Sequence, residues 1–285
     1  MDEPMKSILI PVEAHAGMSA VLETARLLAR KFDSYLEGVA LGPDLTQIVA
    51  ADFSVDGIVF DDTVRRDIFN EAQAMFETFM RESGIPLHGA PGGENAPAPS
   101  YGWARNGLVS DNGVGEYGRV FDIIAVGRPG PGAQQPRKST LESALIESGR
   151  PLLIAPPRAP SRLGETIAIA WNRSPETART VAFALPLLKQ AKDVPVFTIP
   201  GYSLSGPDHV QLTESLQRHG IPARAIDVHE TAKTPGLAVL VTARAAGADL
   251  LIKGGYTQSR LRQFIFGRAT SQILAEANMP IFMAH

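Results

Sequence analysis

Cysteine is absent from the 285 residues, which excludes disulfides and thiolate metal sites and leaves the redox compartment open. Long apolar runs are also absent. Nothing approaches the roughly 20 residues of a membrane span, and the apolar run in the opening MDEPMKSILIPVEAHAG is about six residues, too short for a signal-peptide core. Charge of one sign is scarce: the formal net charge is −3 with 20% charged residues, which argues against a general electrostatic grip on nucleic acid or an anionic membrane. The expectation is a soluble, cytoplasmic protein with neither nucleic acid nor membrane as partner. Catalytic and metal signatures are missing as well. The six histidines (15, 88, 209, 219, 229 and 285) show no HExxH spacing, and no G-x-S-x-G elbow, Walker loop or dinucleotide fingerprint follows the first strand. No metal and no catalytic residue is assigned. The carboxylates Asp61, Asp62 and Asp249 have no evident partner and are expected at the surface.

What is present is a core and a repeat. Hydrophobic residues make up 44% of the chain, and its length suits two domains of about 140 residues. SILIPVEAHAGMSAVLETARLLARKF (7 to 32) is echoed by TIAIAWNRSPETARTVAFALPLLKQA (166 to 191). In each copy a short β-rich run ends at a polar residue, Glu13 or Asn172, and a helix follows. Met18, Val21, Ala25, Leu28 and Phe32 give the first helix one apolar stripe, as Ala178, Val181, Ala182, Leu185 and Leu188 give the second. The second has a start signal in Ser174 and Pro175.

A further echo closes each half. FDIIAVGRPG (121 to 130) matches ADLLIKGGYT (248 to 257), and GRPLLIAPP (149 to 157) matches NMPIFMAH (278 to 285). Each half therefore ends strand, glycine loop, helix, strand, and Ser139 with Glu142 reads as a capping box for that helix in the first half. Further strands are predicted at 34 to 41, 194 to 199 and 222 to 227, and helices within 60 to 84, 208 to 219 and 235 to 246, the last opened by Thr234 and Pro235. GAPGGENAPAPS (89 to 100) reads as a loop and APPRAPSRLGET (155 to 166) as the linker between a domain at 1–157 and one at 166–285.

Strands apolar on both faces and alternating with helices indicate an α/β fold: two tandem doubly wound, Rossmann-like parallel-sheet domains. Ligands of such sheets sit beyond the carboxyl ends of the strands where strand order reverses, which brings Glu13 or Asn172 and the glycine loop into one crevice per half. Duplication of one βα module predicts matching strand orders in two sheets. A single continuous sheet, or copies whose strand orders disagree, would overturn it.

These residues resemble the universal stress protein family in both halves, over essentially the whole chain. In nucleotide-binding members an acidic residue ends the first strand, and the fourth is followed by Gly, two residues, Gly, nine residues, Gly and Ser or Thr. The second half offers Gly254, with Gly255 beside it, then Thr257, Gly267 and Arg268 in those places; the first offers Gly127 and Gly130, then Thr140 and Leu141. A β-branched residue in a left-handed conformation costs roughly 1 to 2 kcal/mol and adds bulk where a phosphate would lie, so Thr257 and Thr140 weaken the pattern. Arg268, with Arg260 and Arg262 near it, could replace the lost hydroxyl with a charged fork. The prolines of RPGPGAQQPRK (128 to 138) cannot donate backbone hydrogen bonds, which weakens the first loop further.

The resemblance implies binding of ATP or another adenine nucleotide, mainly in the second half through Asn172, Gly254, Gly255, Gly267 and Arg268, and less in the first through Glu13, Gly127 and Gly130. It implies a stress-response factor, pairing of PLLIAPP with PIFMAH between the halves, and a homodimer. Two readings stand beside nucleotide binding: an interaction scaffold that needs no nucleotide, and a slow ATPase. At residue level a strand-to-helix turn is the commoner role for each glycine, Glu13 and Asn172 can cap the following turn, and Trp171, ending an apolar strand, reads as core before it reads as a stacking platform.

Overall fold

A computed structural model describes residues 5–43, 62–89, 99–105, 107–130, 135–228, 232–255 and 267–285. The first half runs β1 (Ser7–Val12), α1 (Met18–Phe32), β2 (Tyr35–Ala40), α2 (Asp62–Glu82), β3 (Ser100–Trp103), α3 (Asp111–Tyr117), β4 (Ile123–Gly127), α4 (Lys138–Glu147) and β5 (Leu152–Ala155). The second repeats it as β6 (Ile167–Ala170), α5 (Pro175–Gln190), β7 (Val194–Phe197), α6 (His209–Arg218), β8 (Ala223–Ile226), α7 (Pro235–Ala245), β9 (Leu250–Ile252), α8 (Arg268–Glu276) and β10 (Ile281–Met283).

All ten strands form one sheet in the order β3-β2-β1-β4-β5-β10-β9-β6-β7-β8. Read outward from the seam, the two halves have the same strand order, as duplication requires. The expectation of separate sheets is corrected, and with it the use of one continuous sheet as a sign against duplication, because the edge strands of two matching sheets pair at the seam. Antiparallel pairing of Ile281, Phe282 and Met283 with Ile154, Leu153 and Leu152 fuses the halves and removes two apolar edges that would otherwise stand open. Every other pairing is parallel.

Strand alternation distributes the core between two faces. Ile8, Ile10 and Val12 of β1 pack on the side of α1, α2, α5 and α6, whereas Leu9 joins the side of α3, α4, α7 and α8. The start of α5 is as predicted: Ser174 accepts a hydrogen bond from Thr177 N, with Pro175 at the first helical position. The capping box at Ser139 is not formed. Helix α4 begins one residue earlier at Lys138, and the Ser139 hydroxyl is drawn instead to Asp111 Oδ2 at 2.7 Å. Strand β3 and helix α3 had no counterpart in the sequence reading. The loop assigned to 89–100 lies largely outside the described residues.

Asp249 is corrected from surface to buried, at 7% exposure. Its carboxylate accepts from Gly164 N at 2.7 Å and Glu165 N at 3.1 Å, tying the entry of β6 to the foot of β9. Asp122 does the same in the first half for Lys6 N and Ser7 N, at 2.8 and 3.0 Å. A buried carboxylate is tolerable here because backbone N–H groups satisfy it.

Candidate functional site

In the second half, β6 and β9 part at the point where strand order reverses, and a cavity of about 220 Å³ opens beyond their carboxyl ends. Its walls are mainly apolar, drawn from Trp171, Phe197, Ile199, Val239 and Ile273. Its polar groups are Asn172, Tyr202, Ser203, Lys253 and Thr270, with Gly267 at the start of α8. Trp171 is both core and wall: it is 6% exposed, and its indole N–H is satisfied by Pro207 O at 2.8 Å.

The residues after β7, from Ile199 to Leu204, line one side of this cavity, and hydrogen bonds hold the segment to the end of β6. Leu204 N donates to Asn172 O at 3.0 Å, and the Thr198 hydroxyl donates to Trp171 O at 2.8 Å. Gly201 at φ 70° and Gly206 at φ 140° supply turns that residues with a Cβ resist. Arg173 itself adopts φ 65°, turning the chain from β6 toward α5.

Asn172 does cap the turn. Its Oδ1 accepts from Ser174 N at 3.1 Å and from the Thr177 hydroxyl at 2.5 Å, so both acceptor directions are spent and only its NH₂ donors remain for a ligand. Gly267 lines the cavity and caps α8 with extended backbone (φ −64°, ψ 160°). The other three residues named from sequence do not line it. A Cβ on Gly254 would lie 2.4 Å from Thr177 N, so this glycine admits the start of α5; Gly255 packs against Leu145 of the first half; Arg268 is exposed. Thr257, Arg260 and Arg262 lie outside the described residues.

Lys253 escaped the sequence reading. It directly follows β9, is 8% exposed, and its Nζ donates to Gly254 O at 2.8 Å and Thr270 Oγ1 at 2.7 Å. Burial lowers its pKa to about 8, opposed by the charge of Glu176. It makes no ion pair among the described residues. A lysine directly after an apolar strand was the available signal, because lysine is almost never fully buried without cause.

The equivalent crevice of the first half, lined by Glu13, Leu41, Val126, Arg137 and Thr140, encloses only about 10 Å³, and a separate space of about 240 Å³ lies beside it against α2. Arg137 spans the crevice, with Nε 2.7 Å from Glu13 Oε2, Nη1 3.2 Å from Asp111 Oδ1 and Nη2 donating to Gly42 O at 2.8 Å. Thr140, standing where the family has glycine, donates its hydroxyl to the same Asp111. Burial raises the pKa of Glu13 against the pull of Arg137. His15 is pushed down to about 4 by burial and then by Arg137; its Nδ1 accepts from Gly17 N at 3.0 Å. Gly127 packs on Pro136, whose Cγ would meet a Cβ at 2.4 Å, and Gly130 is exposed. Structure therefore gathers Glu13 with Arg137 and His15, and leaves the first-half glycines as packing and turn.

No family model and no curated protein matches the chain. Among solved structures, a universal stress protein from Archaeoglobus fulgidus DSM 4304 superimposes with a TM-score of 0.70 at 14% identity, covering 99% of this chain and 96% of that one. The chain has the universal stress protein fold. The resemblance read from its residues is borne out at that level, over both halves. A functionally unknown protein from Pseudomonas aeruginosa PAO1 is similar at a TM-score of 0.53 and 13% identity, over 98% of this chain and 92% of that one. Among the described residues no helix is long and apolar enough to cross a membrane, and no cluster of side chains could hold a metal ion.

Proposed function

We propose that this is a universal stress protein whose second half binds an adenine nucleotide, ATP or a shorter relative, and whose first half does not. The observation that carries this reading is the contrast between two cations. Arg137 in the first crevice is spent on two carboxylates, whereas Lys253 faces the second cavity with no ion pair among the described residues. An anionic ligand would supply the missing counter-charge and favour the ammonium form. Trp171 and the apolar walls suit a base, and the Asn172 NH₂ can donate to a ring nitrogen or a ribose oxygen. No carboxylate or histidine lines this cavity among the described residues, which favours binding over turnover. On this reading 1–157 and 166–285 are sister domains of a cytoplasmic stress factor, joined at the β5–β10 seam and able to associate further as a homodimer.

The test is a thermal-shift titration with ATP, ADP and AMP, paired with native mass spectrometry of the purified chain. A rise of several degrees at saturating nucleotide is expected, lost in Lys253→Met and in Gly267→Val. No described atom lies within 4 Å of a Cβ built on Gly267, so the valine would narrow the cavity while leaving the fold intact. A folded wild-type protein that shifts with none of the three, and carries none from purification, would leave the scaffold reading.

A further inference from the structure

The geometry points to Lys253 as a covalent capture site for small, largely apolar aldehydes, held as an imine inside the second-half cavity. The inference shares the cavity of the preceding reading but not its ligand.

An amine adds to a carbonyl when its lone pair is free and aimed at space that the carbonyl can enter. Lys253 lines a 220 Å³ cavity together with Thr270, and its Nζ is held by Gly254 O and Thr270 Oγ1, two neutral partners that fix its direction without stabilising its charge as a carboxylate would. Glu176 is the nearest acidic influence, and it makes no ion pair with Lys253 among the described residues. One of its carboxylate oxygens is buried without a hydrogen-bond partner. The segment 256–266, YTQSRLRQFIF, contains no acidic residue and so brings no carboxylate of its own. Desolvation without a paired anion favours the neutral amine, consistent with the pKa of about 8. Trp171, Phe197, Ile199, Val239 and Ile273 offer an alkyl chain a dry wall beside that nitrogen.

The step balances without an oxidant or a cofactor. The Nζ lone pair adds to the aldehyde carbon as the C=O π bond breaks, one N–H proton passes to that oxygen, and the second N–H proton joins it as the C–O bond breaks, so that water leaves while the C=N bond forms. Amine and aldehyde become imine and water, and the reaction reverses when the aldehyde departs.

The full chain is exposed at pH 8 to hexanal with sodium cyanoborohydride, and alkylated lysines are mapped by peptide mass spectrometry against time. At that pH about half of Lys253 would be free amine, against under about 1% of an ordinary exposed lysine, so it should be alkylated on the order of tenfold faster than exposed Lys138 or Lys192. Its preference for hexanal over glycolaldehyde should exceed that of the exposed lysines. Lys253→Arg, which keeps a cation but cannot form the imine, should lose the fast adduct and leave the slow ones unchanged. The inference is overturned if Lys253 is labelled no faster than Lys192, or if its labelling ignores chain length. Fast labelling without any nucleotide-induced shift sinks only the nucleotide reading, and a nucleotide-induced shift with Lys253 slow to label sinks only this one.

Discussion

Two glycines and one lysine carry different meanings at the scale of single residues. Gly254 and Gly267 both match the family pattern in sequence, yet their surroundings differ. A Cβ at Gly254 would press on Thr177 N at 2.4 Å and on the Glu176 carbonyl carbon at 2.8 Å, both backbone atoms of α5. Gly254→Ala should therefore destabilise the chain by about 1–3 kcal/mol in a denaturant titration, and Gly267→Ala by under about 0.5 kcal/mol. Equal losses would show that the two positions had been distinguished wrongly. Lys253 gives a pH signature. Its folded pKa near 8 lies below the ordinary value of about 10.4, so between those limits the unfolded chain binds more protons and stability should rise with pH. Below pH 8 the buried charge costs about 3 kcal/mol. Unfolding curves from pH 7 to 9.5 should converge with those of Lys253→Met as pH rises; parallel curves would mean that the lysine is not desolvated.

Elements were legible where one residue pattern fixed them. The stripe from Met18 to Phe32 and the Ser174–Pro175 start are local signals, and the helices they announce are present. Strand β3 (SYGW) and helix α3 (DNGVGEY) were not legible: β3 is four residues broken by a glycine, too short to show alternation despite Tyr101 and Trp103, and α3 carries two glycines and weak helix propensity. Their neighbours hold them: Ser110 caps α3 through Gly113 N, and β3 pairs along β2 under Phe69 and Phe76. The site was half legible for the same reason. Asn172 and Gly267 were placed by register within the repeat, but the Arg137–Glu13–Asp111 cluster joins three distant segments and no spacing announces it. Helix α8 depends on the other half in a similar way. Arg128, from the loop after β4, donates to Ala275 O at 2.6 Å and Ala277 O at 3.1 Å, covering carbonyls at the helix end opposite the cavity. Arg128→Ala should cost about 1–2 kcal/mol and speed amide exchange in 268–276 relative to 175–190, followed by mass spectrometry. Uniform change across both helices would argue against a local cap.

Over the whole molecule, the seam makes one folding unit of two repeats. One face of the sheet carries a single cluster that runs from Ile8 and Leu28 through Leu153 and Phe282 to Ile169 and Leu188. Neither half can open without exposing part of it, so both should melt together. The chain's two tryptophans, Trp103 on β3 and Trp171 beyond β6, report one half each. Fluorescence melts of Trp103→Phe and Trp171→Phe should share a midpoint, corrected for each variant's own calorimetric stability. Separate midpoints would mean two independent units joined only at their edges.

The spent guanidinium of the first half also fixes a stoichiometry. A protein built from two like modules ordinarily invites cooperative saturation between them, but Arg137 is committed to its own carboxylates, and among the described residues the second cavity alone of the two holds a cation without an ion pair. Saturation at one equivalent per chain should then follow a plain hyperbola, and any sigmoid would have to originate between chains, not within one.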